Sequence, residues 1–150
     1  MKIELVAALE SDTDFAFEAK RQAMGPHITT KWGWDESFQR NLHKQRYSEK
    51  PWFIIHLESK PIGTVSIHEL PEHTRFGEFY LLDEYRDKGI GTQILKTFLE
   101  ECDEKSQCVV LEFLKWNPVG TLYKRYGFEV TSENDIHYFM KRKPHTPTKA

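Results

Sequence analysis

A short polar segment midway along the chain carries residue types that bind phosphate. Arg86, Gly89 and Gly91 form the pattern R-x-x-G-x-G, and Lys88 adds a second positive charge. An apolar run over 78–82 precedes the segment and a three- and four-residue apolar spacing follows it, which predicts a strand, a tight turn and a helix start. A helix start exposes main-chain N–H groups without internal partners, and glycine lets a ligand approach them closely. The segment therefore predicts an anion site that favours phosphate.

Two common phosphate motifs are excluded. A dinucleotide fingerprint requires a third glycine where Ile94 stands, and a P-loop requires Gly-Lys followed by Ser or Thr. A tight turn without a ligand is the simpler interpretation of two glycines. A second motif bears on this choice: N-P-V-G-T-L-Y-K-R-Y-G-F spans Asn117 to Phe128, after a further apolar run over 107–115.

In this order and with a strand between them, the two motifs resemble the acyl-CoA-binding motifs of the GCN5-related N-acetyltransferases, the GNAT family. The first is similar to that family's Q/R-x-x-G-x-G/A pyrophosphate loop, and the second to its N-x-x-A/G-x-x-L-Y-x-x-x-G-F segment. The resemblance is strongest over residues 61–140. It implies acetyl-CoA as the acyl donor and direct transfer of the acetyl group to a primary amine.

The resemblance assigns a role in cofactor binding to each matching residue. Main-chain N–H groups of the first motif would hold the pyrophosphate, and one late in the central strand would act as an oxyanion-type donor. Asn117 would bond the cofactor arm, cap its helix, or do both. The predicted cofactor-binding residues are Leu81, Leu82, Arg86, Asp87, Lys88, Gly89, Ile90, Gly91, Thr92, Asn117 and Tyr123.

Two residues are predicted to be catalytic. Tyr123 occupies the tyrosine of the second motif, so the resemblance implies that it protonates the departing thiolate; packing beside the pantetheine is the alternative. Glu78 starts the predicted central strand, where related sequences often carry a carboxylate that faces the acceptor, and is the predicted general base. A water relay, His68 or Glu69 would serve instead.

The sequence departs from the family's common form at three positions. Asp83 replaces a frequent proline, Asp87 a frequent glycine and Gly120 the usual alanine. Asp87 places a negative charge near the predicted pyrophosphate, and the flanking Arg86 and Lys88 offset it.

The elements that position these residues begin with a strand over 2–8 and two helices. The first helix is predicted to stop before Gly25-Pro26, and a loop is predicted over 27–37. The second helix is predicted to be capped by Asp35, with Phe38 facing inward.

The connection between these helices usually helps to form the acceptor pocket in the family. Trp32 and Trp34 are therefore predicted to bind substrate together with Glu78, and covering the edge of the core is the alternative for the two indoles.

The remaining runs predict a sheet. Two apolar runs within residues 52–70 are separated by the polar residues 58–61, which predicts a hairpin. Its second strand is predicted to have a polar face that includes Ser66. The helix after the central strand crosses over to 107–115, which predicts a parallel pair. The predicted fold class is α/β: a GNAT-like mixed, mostly antiparallel sheet with a splayed parallel pair and helices on both faces. A helix over 117–126 and strands over 129–131 and 136–141 complete it.

Composition predicts one domain over 1–150 with a frayed tail at 143–150. The net charge of −2, with charges of both signs interspersed, lacks the basic excess that is typical of nucleic-acid binding. No apolar run is long enough for a membrane span. Cys102 and Cys108 read as buried thiols, which fits a reducing cytoplasm where coenzyme A is abundant. The histidines lack metal-ligand spacing, so no metal is expected.

The expected partner is a small-molecule or peptide amine, and the chain is expected to be a monomer or homodimer. Two other functions stay open. One is a non-catalytic module that binds or senses acyl-CoA, which would need neither Tyr123 nor Glu78. The other is a transferase for a longer acyl group or a protein amine.

Overall fold

The structure is a computed structural model that describes residues 2–145. Its elements, in chain order, are β1 (Ile3–Ala7), α1 (Thr13–Trp32), α2 (Glu36–Glu49), β2 (Trp52–Leu57), β3 (Lys60–Glu69), β4 (Thr74–Leu81), α3 (Ile90–Glu104), β5 (Val109–Leu114), α4 (Gly120–Arg125), β6 (Glu129–Glu133) and β7 (His137–Arg142). Short 3₁₀ turns lie at Glu10–Asp12 and Asp83–Tyr85. No helix within residues 2–145 has the length and hydropathy needed to cross a membrane.

Seven strands form one sheet in the order β1-β2-β3-β4-β5-β7-β6. β4 and β5 are parallel, with Thr74 opposite Val109 and Arg75 opposite Val110. The β1–β2, β2–β3, β5–β7 and β6–β7 pairs are antiparallel. The predicted fold class, a mixed and mostly antiparallel sheet with a parallel pair, is confirmed; the splaying of that pair stays a prediction.

Contacts divide the chain into two compact units. The first comprises residues up to 68 together with 78–91, and the second comprises 69–77 together with residues from 92 onward.

In the first unit, α1 continues through Gly25 and Pro26 to Trp32, so the predicted helix end is wrong, and the predicted loop over 27–37 is reduced to 33–35. Proline removes the N–H that would bond the carbonyl of Gln22 four residues earlier. The guanidinium of Arg86 donates to that carbonyl oxygen at 3.5 Å. A distant residue thus replaces the lost helical bond, and the helix passes the proline.

The cap of α2 is confirmed, because the Asp35 side chain accepts a hydrogen bond from the main-chain N–H of Phe38 at 3.0 Å. The inward position of Phe38 is wrong, since this residue is 59% exposed. Gln39 and His43, one turn apart, are buried in its place. His43 packs against the ring of Phe17, with ring centroids 5.5 Å apart.

The β2–β3 hairpin is confirmed, and Glu58 and Ser59 turn it with φ values of 50° and 67°. Two polar residues of β3, Thr64 and Ser66, are buried. Their hydroxyls donate to main-chain oxygens at 2.9 and 2.6 Å, which is how a sheet interior accommodates them. Gly63 is required here, since a Cβ would lie 2.2 Å from a main-chain oxygen.

In the second unit, the predicted apolar face of α3 is confirmed: Ile94, Leu95, Phe98, Leu99 and Cys102 are buried. The short helix predicted over 117–126 begins only at Gly120. Of the predicted frayed tail, residues 146–150 lie outside the described residues. At residue 145, the main-chain N–H of His145 donates to Asp103 at 2.8 Å, and Asp103 also forms a two-bond ion pair with Arg142.

Candidate functional site

The predicted phosphate segment joins β4 to α3 in the first unit. Gly89 stands directly before the helix with φ 80°, and Asp87 also has a positive φ of 61°. A Cβ on Gly89 would meet no atom within 4 Å. Outside the helix's own bonding, the main-chain amides of 87–91 meet no hydrogen-bond acceptor among residues 2–145. Unpartnered amides at an open glycine form an arrangement that binds anions.

The side chain of Arg86 holds this segment against α1. Its guanidinium pairs with Asp83 and donates to the carbonyl oxygen of Gln22, and the side chain of Gln22 accepts from the main-chain N–H of Asp83 at 2.8 Å. The aspartate at the position of the frequent proline is therefore the ion-pair partner of the motif's arginine.

The other predicted cofactor residues of this region occupy different environments. Leu81 and Ile90 are buried, Leu82 is half-buried, and Asp87 and Lys88 are exposed. A Cβ on Gly91 would lie 3.6 Å from the ring of Phe79, at ordinary contact distance. Thr92 follows in α3 and belongs to the second unit.

Glu78 lies within β4, which begins at Thr74, so its predicted position at the start of the strand is wrong. Its φ of 48° is unusual for a strand residue and marks local backbone strain. The side chain is 6% exposed, and its Oε1 lies 3.8 Å from Arg46 Nη1 and 3.5 Å from Lys50 Nζ. The hydroxyl of Tyr80 donates to Oε2 at 3.3 Å. Both carboxylate oxygens therefore have partners.

Lys20 belongs to the same group of charges and was missed in the sequence. It is 3% exposed on the buried face of α1, beside Ala16 and Met24 in the helical repeat. Burial lowers the pKa of its ammonium to about 8, against the attraction of Glu78 and with added repulsion from two neighbouring cations. The signal available in the sequence was the spacing of Lys20, four residues from both Ala16 and Met24, which places it on the apolar face of a helix.

The two predicted substrate tryptophans are placed differently. Trp34 lines an open groove of about 630 Å³ whose wall includes Gly25, Thr29 and Asp83. Its indole N–H donates to Glu36 at 2.9 Å, and this hydrogen bond lowers the pKa of the Glu36 carboxyl. Trp32, the last residue of α1, is exposed.

In the second unit, Tyr123 is buried between the rings of Phe113 and Phe128, with centroids 6.0 and 5.5 Å away. Burial raises the pKa of its phenol to about 12. The hydroxyl makes no hydrogen bond within residues 2–145. A phenol that stays protonated at physiological pH has the protonation state that a general acid needs.

Asn117 accepts a hydrogen bond from the main-chain N–H of Val119 at 3.2 Å, a local turn just before α4. It also lines a pocket of about 270 Å³ with Phe113 and Gly120. A Cβ on Gly120 would lie 2.9 Å from the Phe113 ring. The glycine at the family's usual alanine thus makes room for this ring.

The alternative bases differ in their surroundings. Glu69 is exposed and lies 3.7 Å from the ammonium of Lys105, whereas His68 is half-buried. Over residues 2–145, no three His, Cys, Asp or Glu side chains are grouped closely enough to hold a metal ion.

Comparison with protein families gives a match between residues 48–130 and the acetyltransferase (GNAT) domain, more than half of the chain. Comparison with curated protein sequences gives no match.

Solved structures share the fold over nearly the whole chain. PaiA N-acetyltransferase from Thermoplasma acidophilum, in complex with coenzyme A, superposes with a TM-score of 0.75 at 19% identity, covering 95% of this chain and 99% of that one. PH1933 from Pyrococcus horikoshii OT3 superposes with a TM-score of 0.75 at 18% identity, covering 96% of this chain and 98% of that one. The ribosomal-protein-S18-alanine N-acetyltransferase from Escherichia coli superposes with a TM-score of 0.68 at 12% identity, covering 99% of this chain and 97% of that one.

Proposed function

The chain belongs to the GNAT acetyltransferase family, and on that premise we propose that it is an acetyl-CoA-dependent N-acetyltransferase that moves an acetyl group directly to a primary amine. The acceptor is a small molecule or a peptide. A cytoplasmic location, a single domain and a monomeric or homodimeric state belong to the same proposal.

One observation carries this proposal: the run of unpartnered amides at 87–91, opened by Gly89 before α3. These donors fit a pyrophosphate, which presents several oxygens to a helix start. We assign the cofactor to the main chain of this run, to Leu81, Leu82 and Thr92, and to Asn117 and Tyr123. Arg86 contributes by holding the segment against α1 through Gln22.

Acyl transfer to an amine needs an acid for the departing sulfur and a base for the amine proton. Bound acetyl-CoA supplies the thioester. Tyr123 is the proposed acid, supported by its place at the tyrosine of the second motif. Glu78 is the proposed base, directly or through water, supported by its buried carboxylate on β4.

The proposal is tested by calorimetric titration of acetyl-CoA into the protein, with NADH as comparator. We expect saturable binding of acetyl-CoA and none of NADH, followed by thiol release when an accepted amine is added. Propionyl-CoA and succinyl-CoA in the same titration test for a longer acyl group. A folded protein that binds no acetyl-CoA at millimolar concentration would contradict the proposal.

Two substitutions that change the local charge in opposite directions test the run of amides at 87–91. Gly89→Glu should abolish acetyl-CoA binding, because a carboxylate then stands at the phosphate site, where the structure leaves room for a side chain. Asp87→Asn removes a negative charge and keeps a residue type that tolerates positive φ, so affinity should rise by several-fold. Unchanged affinity in a folded Gly89→Glu protein would remove the pyrophosphate assignment.

A further inference from the structure

Four charged side chains meet in the first unit, and their charges do not cancel. Glu78 supplies one carboxylate, and Arg46 and Lys50 both lie within 4 Å of it. The ammonium of Lys20 is acted on by all three of these charges. Three positive groups stand against one negative group, which leaves two positive charges without a counter-charge.

Lys20 provides an independent observation. It is 97% removed from solvent, and its ammonium forms no hydrogen bond or ion pair within residues 2–145. Burial of the charged ammonium costs free energy, and the attraction of Glu78 offsets only part of that cost, because the pKa of Lys20 remains lowered. An anionic ligand beside the ammonium would offset the rest of this cost.

Two acceptor atoms on α2 also lack donors. Gln39 Oε1 and His43 Nδ1 are buried without a hydrogen-bond partner within the described part of the chain. His43 Nε2 lies 3.1 Å from the carbonyl oxygen of Thr13 and donates to it, which leaves Nδ1 as an acceptor. His43 is close enough to Lys20 and Glu78 for both charges to act on it. The region therefore offers acceptors for an amine next to cations for an anion.

We infer that Lys20, Arg46 and Lys50 bind the carboxylate of the acceptor, whose amine lies beside Glu78, so that the acceptor is a free α-amino acid. The opposite charges of the site are only 3.5 Å apart at Lys50 and Glu78. An amine and a carboxylate on the same carbon match that separation. A diamine brings no anion, and a peptide N-terminus has no carboxylate next to its amine.

Arg46 and Lys50 are the members of the cluster that reach solvent. Both side chains are partly exposed, whereas Lys20 and Glu78 are buried behind them. A carboxylate entering from solvent would meet the two outer cations first and reach the inner ammonium last. The inference rests on the proposed function, since it names the acceptor of that reaction.

The test compares each L-amino acid of a panel with its own amide, which keeps the amine and side chain but lacks the carboxylate. Thiol release from acetyl-CoA gives kcat and KM for both. We expect the acid to exceed its amide in kcat/KM by about 10- to 100-fold, as for the loss of a charge-assisted hydrogen bond. The amine of the amide is less basic, so a larger fraction of it is unprotonated and reactive at a given pH. Intrinsic reactivity therefore favours the amide, which is the opposite of the expected preference.

Variants assign the preference to the cluster. Lys20→Met should raise KM for the acid by at least about tenfold and leave the amide nearly unchanged. Lys44→Met is the matched control, because this exposed lysine of α2 has the same charge, and it should keep the preference. Lys50→Met, at the partly exposed end of the cluster, is a second variant that removes another of the three cations. A 1-aminoalkylphosphonate in the panel separates a carboxylate site from one for phosphate-type anions.

The outcomes separate the inference from the proposed function. If the amides or diamines react as well as the acids, or if Lys20→Met and Lys50→Met keep the acid preference, the inference is overturned and the transferase stands. Preference for the phosphonate overturns the amino-acid assignment alone. If the unmodified protein binds no acetyl-CoA, the proposed function fails, and the inference fails with it.

Discussion

Replacing Lys20 by methionine should make the protein more stable at neutral pH. The structure lowers the pKa of this buried ammonium from 10.5 to about 8. Since each pKa unit corresponds to 1.36 kcal/mol, holding the charged form in the fold costs about 3 kcal/mol relative to the neutral amine. Methionine has a similar length and no charge, so the free energy of unfolding of Lys20→Met should exceed that of the unmodified protein by up to about 3 kcal/mol.

The difference in unfolding free energy between Lys20→Met and the unmodified protein, called the gap below, should shrink as the pH rises. Below about pH 8, Lys20 is charged in both the folded and unfolded states, and the full cost is present. Between about 8 and 10.5, the unfolded chain keeps the proton that the folded protein has released, so the stability contributed by Lys20 rises with pH. Above 10.5, the amine is neutral in both states and the gap closes.

Urea denaturation of both proteins at a series of pH values from 7 to 10.5 measures this gap. Lys44→Met again serves as control, because it removes an exposed lysine and should change the unfolding free energy little at any pH. A gap that stays constant with pH, or a Lys20→Met protein that is less stable at pH 7, would refute the burial cost. Added amino acid should narrow the gap by binding only the unmodified protein.

Two further substitutions probe the second unit. Tyr123→Phe should lower turnover by about 100-fold or more and lower acetyl-CoA affinity much less, as expected for a lost general acid; unchanged turnover would make Tyr123 a packing residue. Gly120→Ala should lower the free energy of unfolding by about 1 kcal/mol, because its methyl would stand 2.9 Å from the Phe113 ring, held beside Tyr138. Phe113→Leu in the same chain should restore part of that loss, and a Gly120→Ala protein of full stability would show that the ring moves freely.

Local patterns in the sequence determined much of the fold. The face of α3, the β2–β3 hairpin and the Asp35 cap were predicted because periodicity, turn residues and caps act over a few neighbouring positions. The glycine turn before α3 was predicted for the same reason, and the structure places Gly89 there with positive φ.

The tertiary structure decided the features that depend on distant residues. α1 passes Pro26, and Arg86, far along the chain, donates to the carbonyl oxygen of Gln22 that the proline leaves free. No local rule contains that bond, so the sequence predicted a helix end.

The charge cluster was decided in the same way. Lys20, Arg46 and Glu78 lie on three separate elements, and each reads in sequence as an ordinary charged residue. Folding brings them together out of water, where charges interact strongly and an unmatched one destabilises the fold. The sequence by itself predicted a phosphate site at a helix start. The charge that meets the other substrate depends on burial and distance, which exist only once the chain is folded.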